Sequence, residues 1–183
     1  MSEYCEKPPI VEVRFLAAKP AAGATQKFDH FSTQGIKLPA SWKPAAAQAI
    51  KESRFADPAD KQSFFYARLD RVVNYKDKKK FDDATAKTTA NLDVKRLAGL
   101  GEFLGDRLFP DVYKIENASV INVRGKKILK IRGQYLQTKQ SSITFLMDVG
   151  NEHLEELVFQ APTETFEKNR ALFESSMSDV VWH

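Results

Sequence analysis

The chain has 183 residues, of which 43% are hydrophobic and 28% charged, as is ordinary for a globular protein. No apolar run approaches the roughly 20 residues that a membrane-spanning helix needs, and the N-terminus lacks the apolar core of a signal peptide. Cys5 is the only cysteine, which excludes an internal disulfide. We therefore expect a soluble domain, in a cytosolic or an envelope setting.

Residues 1–27 are rich in proline and alanine, a composition typical of an arm or linker. Within them, Val11–Phe15 alternates apolar and polar residues and predicts a short strand. The residues before Cys5 lack the small and aliphatic pattern of a lipid-anchor signal, so membrane proximity would need an anchor lost from this chain. The sequence predicts an arm over residues 1–27 and a single α+β domain over residues 28–183.

A strand and a short helix are predicted next. Gly35–Trp42 has the pattern of a strand, and Pro39 places it at a sheet edge or a strand end, because proline cannot donate a hydrogen bond to a neighbouring strand. Trp42 is expected at the margin of the core. Residues 44–54 are rich in alanine, and Pro44 suits the first position of a helix, so a short helix is expected there.

Two longer segments have clearer patterns. Ser63–Tyr75 is rich in aromatic and β-branched residues, which predicts a strand, and Lys76–Lys80 follows as a charged loop. Leu92–Leu108 repeats leucine at helical spacing and predicts a helix that Pro110 ends. Glycines are costly inside a helix, so Gly101, beside the leucine stripe, indicates close approach of this helix to a sheet.

The C-terminal third predicts an antiparallel meander. Gly125-Lys126 favours a type II′ hairpin turn, and Gly150-Asn151 predicts a second tight turn. The strands around these turns are Ser119–Arg124, Lys127–Leu136, Ile143–Val149 and Glu155–Ala161. Strand alternation predicts one buried side, formed by Ile143, Phe145, Met147, Val149, Leu157, Phe159 and Ala161 together with Leu129, Ile131 and Tyr135.

An amphipathic helix is expected to close the chain. Thr163 is the predicted N-cap, and Glu164 suits the first turn. The apolar side of this helix should cover the meander, and Trp182 should pack there as well. Its apolar residues are Phe166, Leu172, Phe173, Met177, Val180 and Val181.

No catalytic or metal-binding arrangement emerges from the sequence. His30, His153 and His183 have no ligand partner at helical spacing, so each is expected to be a surface histidine. The glycines of residues 99–105 do not fit a nucleotide-binding loop, and the paired acids at Asp82-Asp83 diverge. We therefore expect neither enzymatic activity, nor a metal, nor a cofactor.

Basic residues are concentrated in one region. Between Lys114 and Lys139 there are seven Lys or Arg residues and one acid, whereas eight acids against two basic residues follow from Asp148 onward. Alternation predicts a basic panel on the meander face away from Leu129 and Ile131, formed by Asn122, Arg124, Lys130, Arg132 and Gln134.

The basic panel has two interpretations. It is either a solvated sheet face, partly neutralised by Glu156, or a docking surface for an acidic protein partner. Lipid headgroups are a weaker alternative. Nucleic acid is not expected, because the panel has no interleaved aromatic residues on which bases could stack.

Short motifs resemble the PsbP-like family. Leu38–Trp42 is similar to the "LPxxW" opening of that fold, and the glycine turn at 123–127 lies in a similar meander. The step Ala161–Phe166 is similar to the "APxxxF" passage into the closing helix of related bacterial proteins. The resemblance covers roughly residues 34–182. It implies a central antiparallel sheet flanked by helices, an α+β architecture.

The same resemblance implies a non-catalytic role, because members are mostly extrinsic photosystem subunits, periplasmic lipoproteins of the DcrB kind, or chaperone adaptors of secreted effectors. The leading hypothesis is therefore a bacterial envelope or periplasmic protein that binds another protein. The alternative is a cytoplasmic adaptor, chaperone or immunity protein for a secreted effector, as the missing signal peptide would suit. No partner or metal site of the plant protein maps onto this chain.

Overall fold

A computed structural model of the protein describes residues 24–72, 75–100 and 112–183. Within these residues the helices are α1 (Tyr75–Ala84), α2 (Val94–Ala98) and α3 (Thr163–Glu174). The strands are β1 (Thr25–His30), β2 (Thr33–Pro39), β3 (Lys43–Ala45), β4 (Glu52–Asp57), β5 (Asp60–Val72), β6 (Tyr113–Val123), β7 (Lys126–Tyr135), β8 (Gln140–Gly150), β9 (His153–Pro162) and β10 (Val181–Trp182).

The strands form two antiparallel sheets. The main sheet has seven strands in the order β3-β4-β5-β9-β8-β7-β6, and the small sheet has the order β1-β2-β10. Pairing of β5 with β9 joins the β3–β5 unit to the β6–β9 meander. The predicted α+β class, with a central antiparallel sheet and flanking helices, is confirmed.

Both faces of the main sheet are covered. On one face, apolar residues of β8 and β9 pack against the small sheet and α3, which contributes Phe166 and Phe173. On the other face, Phe81 of α1 and Leu97 of α2 pack on the meander. This second cluster includes Val120, Leu129, Ile131, Leu146 and Leu154. The sheet is thus the middle layer of three.

The prediction of a single buried side of the meander was wrong. In the register of β7 with β8, Leu129 pairs with Leu146 and Lys130 pairs with Phe145. Paired residues of antiparallel strands point to the same face, so Leu129 and Ile131 lie on the face opposite Phe145. Strand alternation fixes which residues of one strand share a face, but the register alone relates one strand to the next.

The helix predicted over residues 44–54 is wrong, since residues 43–45 form strand β3 and residues 52–57 form β4. Helix propensity is a weak preference that tertiary pairing overrides. Here the buried Glu52 carboxylate binds the side chains of Arg54 and Arg68, and this links β4 to β5. Pro44 lies on the short edge strand, where its missing N–H is tolerated.

The charged loop predicted at Lys76–Lys80 is instead part of α1. Phe81 is buried in this helix, but residues 76–80 and 82–83 are all charged, so the sequence has no apolar stripe that would predict a helix. A salt bridge from Lys78 to Asp82, at i and i+4, supports the exposed side.

Both tight turns are one residue away from the predicted positions. Val123 pairs with Lys126, so the first turn is Arg124-Gly125, with φ of 48° and 86°. Two positive φ values are the mark of a type I′ turn rather than the predicted II′. The second turn is Asn151-Glu152, again with two positive φ values, because Gly150 pairs with His153.

The remaining predictions are met in part. The strand expected at Ser63–Tyr75 is β5, which ends at Val72. The closing helix ends at Glu174, earlier than expected. Its N-cap is Pro162 rather than Thr163, and the Thr163 hydroxyl donates to the carbonyl of Lys139. Trp182 does pack against the core, but from strand β10.

Some predictions concern other parts of the chain. Strand β2 ends at Pro39 as expected, and Trp42 is buried. Strand β1 begins at Thr25, inside the predicted arm. Val11–Phe15 and the part of the predicted helix from residue 101 onward lie outside the described residues. No helix in the described ranges has the length and apolar character to cross a membrane.

Gly133 tests the packing of β7 against β6. A Cβ atom at this position would lie 2.3 Å from the carbonyl oxygen of Lys114 and 2.6 Å from the ring of Tyr113. We expect Gly133→Ala to lower the free energy of unfolding by at least about 2 kcal/mol, because backbone must move to make room. At Gly99, with ordinary helical φ, alanine should cost less than about 1 kcal/mol. Urea denaturation measures both variants, and equal effects would contradict this packing.

Candidate functional site

The structure separates the residues of the predicted basic panel. Lys130, Arg132 and Gln134 alternate on the face of β7 that α3 and the small sheet cover. Asn122 pairs with Lys127 and therefore points to the opposite face. Arg124 lies in the β6–β7 turn, where its φ is positive. The five residues do not form one surface.

Lys130 and Arg132 already bind carboxylates of this chain. Glu174, at the end of α3, binds the ammonium of Lys130 and lies 3.1 Å from Arg132 Nη1. Glu116 lies 3.3 Å from Arg132 Nε. Burial opposes ionisation of Glu174, but the hydrogen bonds and charges of Lys130 and Arg132 outweigh it and hold the pKa of Glu174 below its usual range. This part of the panel fastens α3 to the sheet.

Arg124 and its neighbours instead line a cleft at the end of the sheet. We call this region the turn cleft. Its volume is about 510 Å³, and it lies between the β6–β7 turn, the end of β8, α1 and β10. Its lining residues are Phe81, Asp82, Thr85, Arg124, Gly125, Lys126, Lys127, Asp148 and Trp182.

The β6–β7 turn has the backbone shape that presents these residues. The side-chain oxygen of Asn122 accepts a hydrogen bond of 3.0 Å from the backbone N–H of Gly125. Asn122 therefore stabilises the turn that displays Arg124 and Lys127, both of which are exposed. Asn122, a predicted panel residue, thus contributes to the cleft by holding the backbone of the turn at Gly125.

Trp182 forms an apolar wall of the turn cleft. Its indole Nε1 donates a 2.9 Å hydrogen bond to the carbonyl of Val123, which fixes the ring against β6. The ammonium of Lys126 lies 4.6 Å from the ring centroid, within cation–π distance, and also donates to the carbonyl oxygen of Asp148 at 3.0 Å. The indole and this lysine therefore have defined positions.

The acids of the turn cleft are held by one lysine. Lys78 of α1 lies 2.6 Å from the carboxylate of Asp148 and 2.7 Å from that of Asp82. Burial opposes the charge of both Lys78 and Asp148, but their mutual contact outweighs it, so the pKa of Lys78 is raised and that of Asp148 is lowered. The single charge of Lys78 thus offsets part of the negative charge of the two acids.

Arg124 and Lys127 have no such compensation among the described residues. No carboxylate in those ranges lies within ion-pair distance of either side chain. Asp179 is near enough for the charge of Arg124 to influence it, but its carboxylate binds Lys37 at 2.8 Å. The turn cleft therefore offers two exposed cations beside an indole ring.

The histidines do not all occupy the surface positions expected for them. His30 is buried, against the prediction, because β1 packs on the main sheet, whereas His183 is exposed. No group of three or more His, Cys, Asp or Glu side chains in the described ranges has the arrangement of a metal site. The turn cleft brings exposed cations next to an indole ring.

Sequence reasoning found Arg124 but missed the rest of the cleft. Lys126 and Lys127 were visible in the basic stretch, although their use depends on the one-residue shift of the turn. Trp182 and Lys78 come from segments distant in sequence, which the pairing of β10 with β2 and the docking of α1 bring close. No spacing pattern in the sequence connects them.

No protein-family model matches the chain, and no curated protein matches its sequence. Among solved structures, the fold is similar to that of cyanobacterial PsbP (CyanoP) from Synechocystis sp. PCC 6803. That structure has a TM-score of 0.57 at 10% identity, over 92% of this chain and 99% of the other. A Pseudomonas aeruginosa protein of unknown function matches 88% of this chain and 99% of its own at 11% identity and a TM-score of 0.48. The expected PsbP-like fold is confirmed, and likeness at this identity shows the fold alone.

Glu174 tests whether the panel cations serve the fold. We expect Glu174→Gln to lower the free energy of unfolding at pH 7 by about 2 kcal/mol, since two part-buried cations lose their carboxylate. The pKa of Glu174 is lowered on folding, so its contribution is present above the unfolded pKa and disappears as pH falls through the folded one. The difference from wild type should therefore vanish in strong acid. The exposed pair Glu167–Arg170 on the same helix provides the control: Glu167→Gln should cost under about 0.5 kcal/mol.

Proposed function

We propose that this protein is a non-catalytic binding module that takes an acidic segment of another protein in the turn cleft. The observation that supports it is the exposure of Arg124 and Lys127 without a carboxylate partner in the described residues. Lys130 and Arg132, in contrast, are already neutralised by Glu174 and Glu116. Acidic partners are therefore expected at the turn and not on the sheet face.

The chemistry of the turn cleft favours a peptide that is acidic and partly apolar. Two exposed cations attract carboxylates and increase the rate of association, an effect that salt screens. The ring of Trp182 provides an apolar surface. It loses little side-chain entropy on binding, because the hydrogen bond to Val123 and the contact with Lys126 already fix its position. Lys78 offsets part of the negative charge of Asp82 and Asp148, so these acids repel an anionic ligand less than two free carboxylates would.

The envelope remains the proposed location, and the lipoprotein relationship of the DcrB kind remains part of the proposal. Both rest on the sequence resemblance, with the PsbP-like fold as their structural support. Fractionation of the native cells should place the chain with periplasmic or envelope markers. Recovery with cytoplasmic markers would contradict this location and favour the role of a cytoplasmic adaptor.

A charge-reversal experiment tests the turn cleft. The probe is a fluorescein-labelled peptide of eight glutamates, and its binding is measured by fluorescence anisotropy at 50 mM salt. We expect Arg124→Glu with Lys127→Glu to weaken binding at least tenfold, because each lost attraction is worth about 1 kcal/mol and repulsion replaces it. A circular dichroism melt should show that this double variant, and the control described below, keep the fold.

The control is Lys61→Glu with Lys139→Glu, which makes the same change in net charge. Both lysines are exposed, and Lys139, like Arg124, has a positive φ in a meander turn. The control should change the dissociation constant less than threefold. Equal weakening in the two double variants, or no binding of the peptide by the wild type, would overturn the proposal.

A further inference from the structure

A buried acid and a buried histidine face each other between the two sheets. Glu155 of β9 is fully buried on the face of the main sheet that the small sheet covers. His30, at the end of β1, is 7% exposed. The distance between Glu155 Oε1 and His30 Nε2 is 4.0 Å.

The hydrogen bonds of this pair are incomplete in a specific way. Glu155 Oε2 accepts from the hydroxyls of Ser32, at 3.2 Å, and Thr33, at 3.1 Å. Glu155 Oε1 and His30 Nε2 have no hydrogen-bond partner among the described residues. These two atoms face each other; a carboxylate oxygen is an acceptor, and Nε2 is an acceptor in the tautomer that carries its proton on Nδ1. A proton on Glu155 Oε1 would let this atom donate to Nε2 once the separation of 4.0 Å shortens to hydrogen-bond length.

Few other charged groups face the pair. The ammonium of Lys126 lies on the main-sheet side and favours the charged form of Glu155. His183, beyond β10, is exposed and contacts the pair's surroundings through its backbone N–H, which donates to the carbonyl of Ser32. Asp29 of β1 is turned away and accepts from the N–H of Gly35. Among the described residues, the protonation of the pair thus depends mainly on its own burial.

Burial acts oppositely on the two groups. It raises the pKa of Glu155 to about 7 and lowers the pKa of His30 to about 4, since each loses the solvation of its charged form. Between these values the docked pair holds one proton, on the carboxyl group. With the ordinary values of 4.5 and 6.5, an undocked pair also holds one proton over pH 4.5–6.5, but on the imidazole.

We propose that docking of the small sheet onto the main sheet moves one proton from His30 to Glu155, so that a neutral carboxyl faces a neutral imidazole across the sheet interface. Over pH 4.5–6.5 the step is a proton transfer only: the His30 Nε2–H bond breaks and the Glu155 O–H bond forms, with no net proton uptake. Over this pH range the pair therefore acts as a latch whose strength changes little with pH, although each of its members would respond strongly alone.

The signs of the two contributions show this compensation. Glu155 has a raised folded pKa, so its contribution is fully present below pH 4.5 and is lost as pH rises through about 7. His30 has a lowered folded pKa, so its contribution is present above pH 6.5 and is lost as pH falls toward about 4. Over pH 4.5–6.5 the two slopes are opposite and offset each other.

One consequence rests on the proposed function. Trp182, which lines the turn cleft, belongs to β10 of the small sheet and pairs there with Thr33. A latch that holds through mild acid would keep this wall of the cleft in place. The experiment below uses no peptide, so failure of acidic-peptide binding would leave the latch untouched, and the reverse also holds.

Hydrogen exchange at single amides tests the latch. The protection of small-sheet amides, residues 33–36 and 181–183, is measured at pH 4.5 and 6.5 relative to β8 amides and corrected for intrinsic rates. In the wild type this ratio should change less than threefold. In Glu155→Gln only the His30 contribution remains, so the protection ratio at pH 4.5 should be at least tenfold lower than at pH 6.5. In His30→Gln only the Glu155 contribution remains, so the protection ratio at pH 4.5 should be at least tenfold higher than at pH 6.5.

Glu156→Gln is the matched control, because Glu156 is buried on the same strand but on the opposite face. Its ratio should follow the wild type. Slopes of the same sign in Glu155→Gln and His30→Gln, or slopes no steeper than that of the wild type, would overturn the proposal.

A measurement on the wild type covers the case in which a variant does not fold. Carbon-13 NMR of labelled glutamate should show the carboxyl of Glu155 titrating near pH 7, and nitrogen-15 NMR should show His30 still neutral at pH 5.5. An ordinary titration of Glu155 near 4.5, or a charged His30 at pH 5.5, would reject the transfer.

Discussion

The pairing of β5 with β9 is the contact on which the rest of the fold depends. In the described main sheet it is the one junction between strands that are not consecutive in the chain. Phe65 lies opposite Phe159 in this register, and the ring of Phe159 stacks on Phe173 of α3 at 4.7 Å. The junction places β9 in the interior of a seven-stranded sheet, so both its faces need cover. The small sheet and α3 cover one face, and α1 and α2 pack on the other.

Cover on both faces decides where charge can be used for binding. Lys130 and Arg132 lie part-buried beside α3, where a charge without a partner would be unfavourable, and Glu174 and Glu116 compensate them. Charged residues in the turns at the end of the sheet are exposed to solvent and need no partner within the chain. A sheet covered on both sides therefore leaves its loops as binding surfaces, which is the usual division between scaffold and site.

The sequence predicted strands well and their mutual arrangement poorly. Alternation and glycine turns sufficed for β5 and for the meander, and the resemblance in Leu38–Trp42 indicated the fold. The relation of Leu129 to Phe145 depends on register, which a one-residue shift of the turn at Gly125 alters. Helix α1 has too little apolar pattern to be recognised. The contacts of Trp182 and Glu155 join distant segments, and no local rule predicts them.

The protein buries carboxylates in two ways, and the difference has a physical consequence. Glu52 receives Arg54 and Arg68; burial opposes its charge, but these hydrogen bonds outweigh that effect and lower its pKa. Its contribution to stability is consequently lost in acid. Glu155 accepts only from two hydroxyls, whose hydrogen bonds lower its pKa less than burial raises it, so its pKa rises to about 7. A cation-paired acid suits a fixed strand junction such as β4–β5. In the proposed latch, an acid paired with histidine suits a contact between sheets, because the opposite pH responses of Glu155 and His30 offset each other over pH 4.5–6.5.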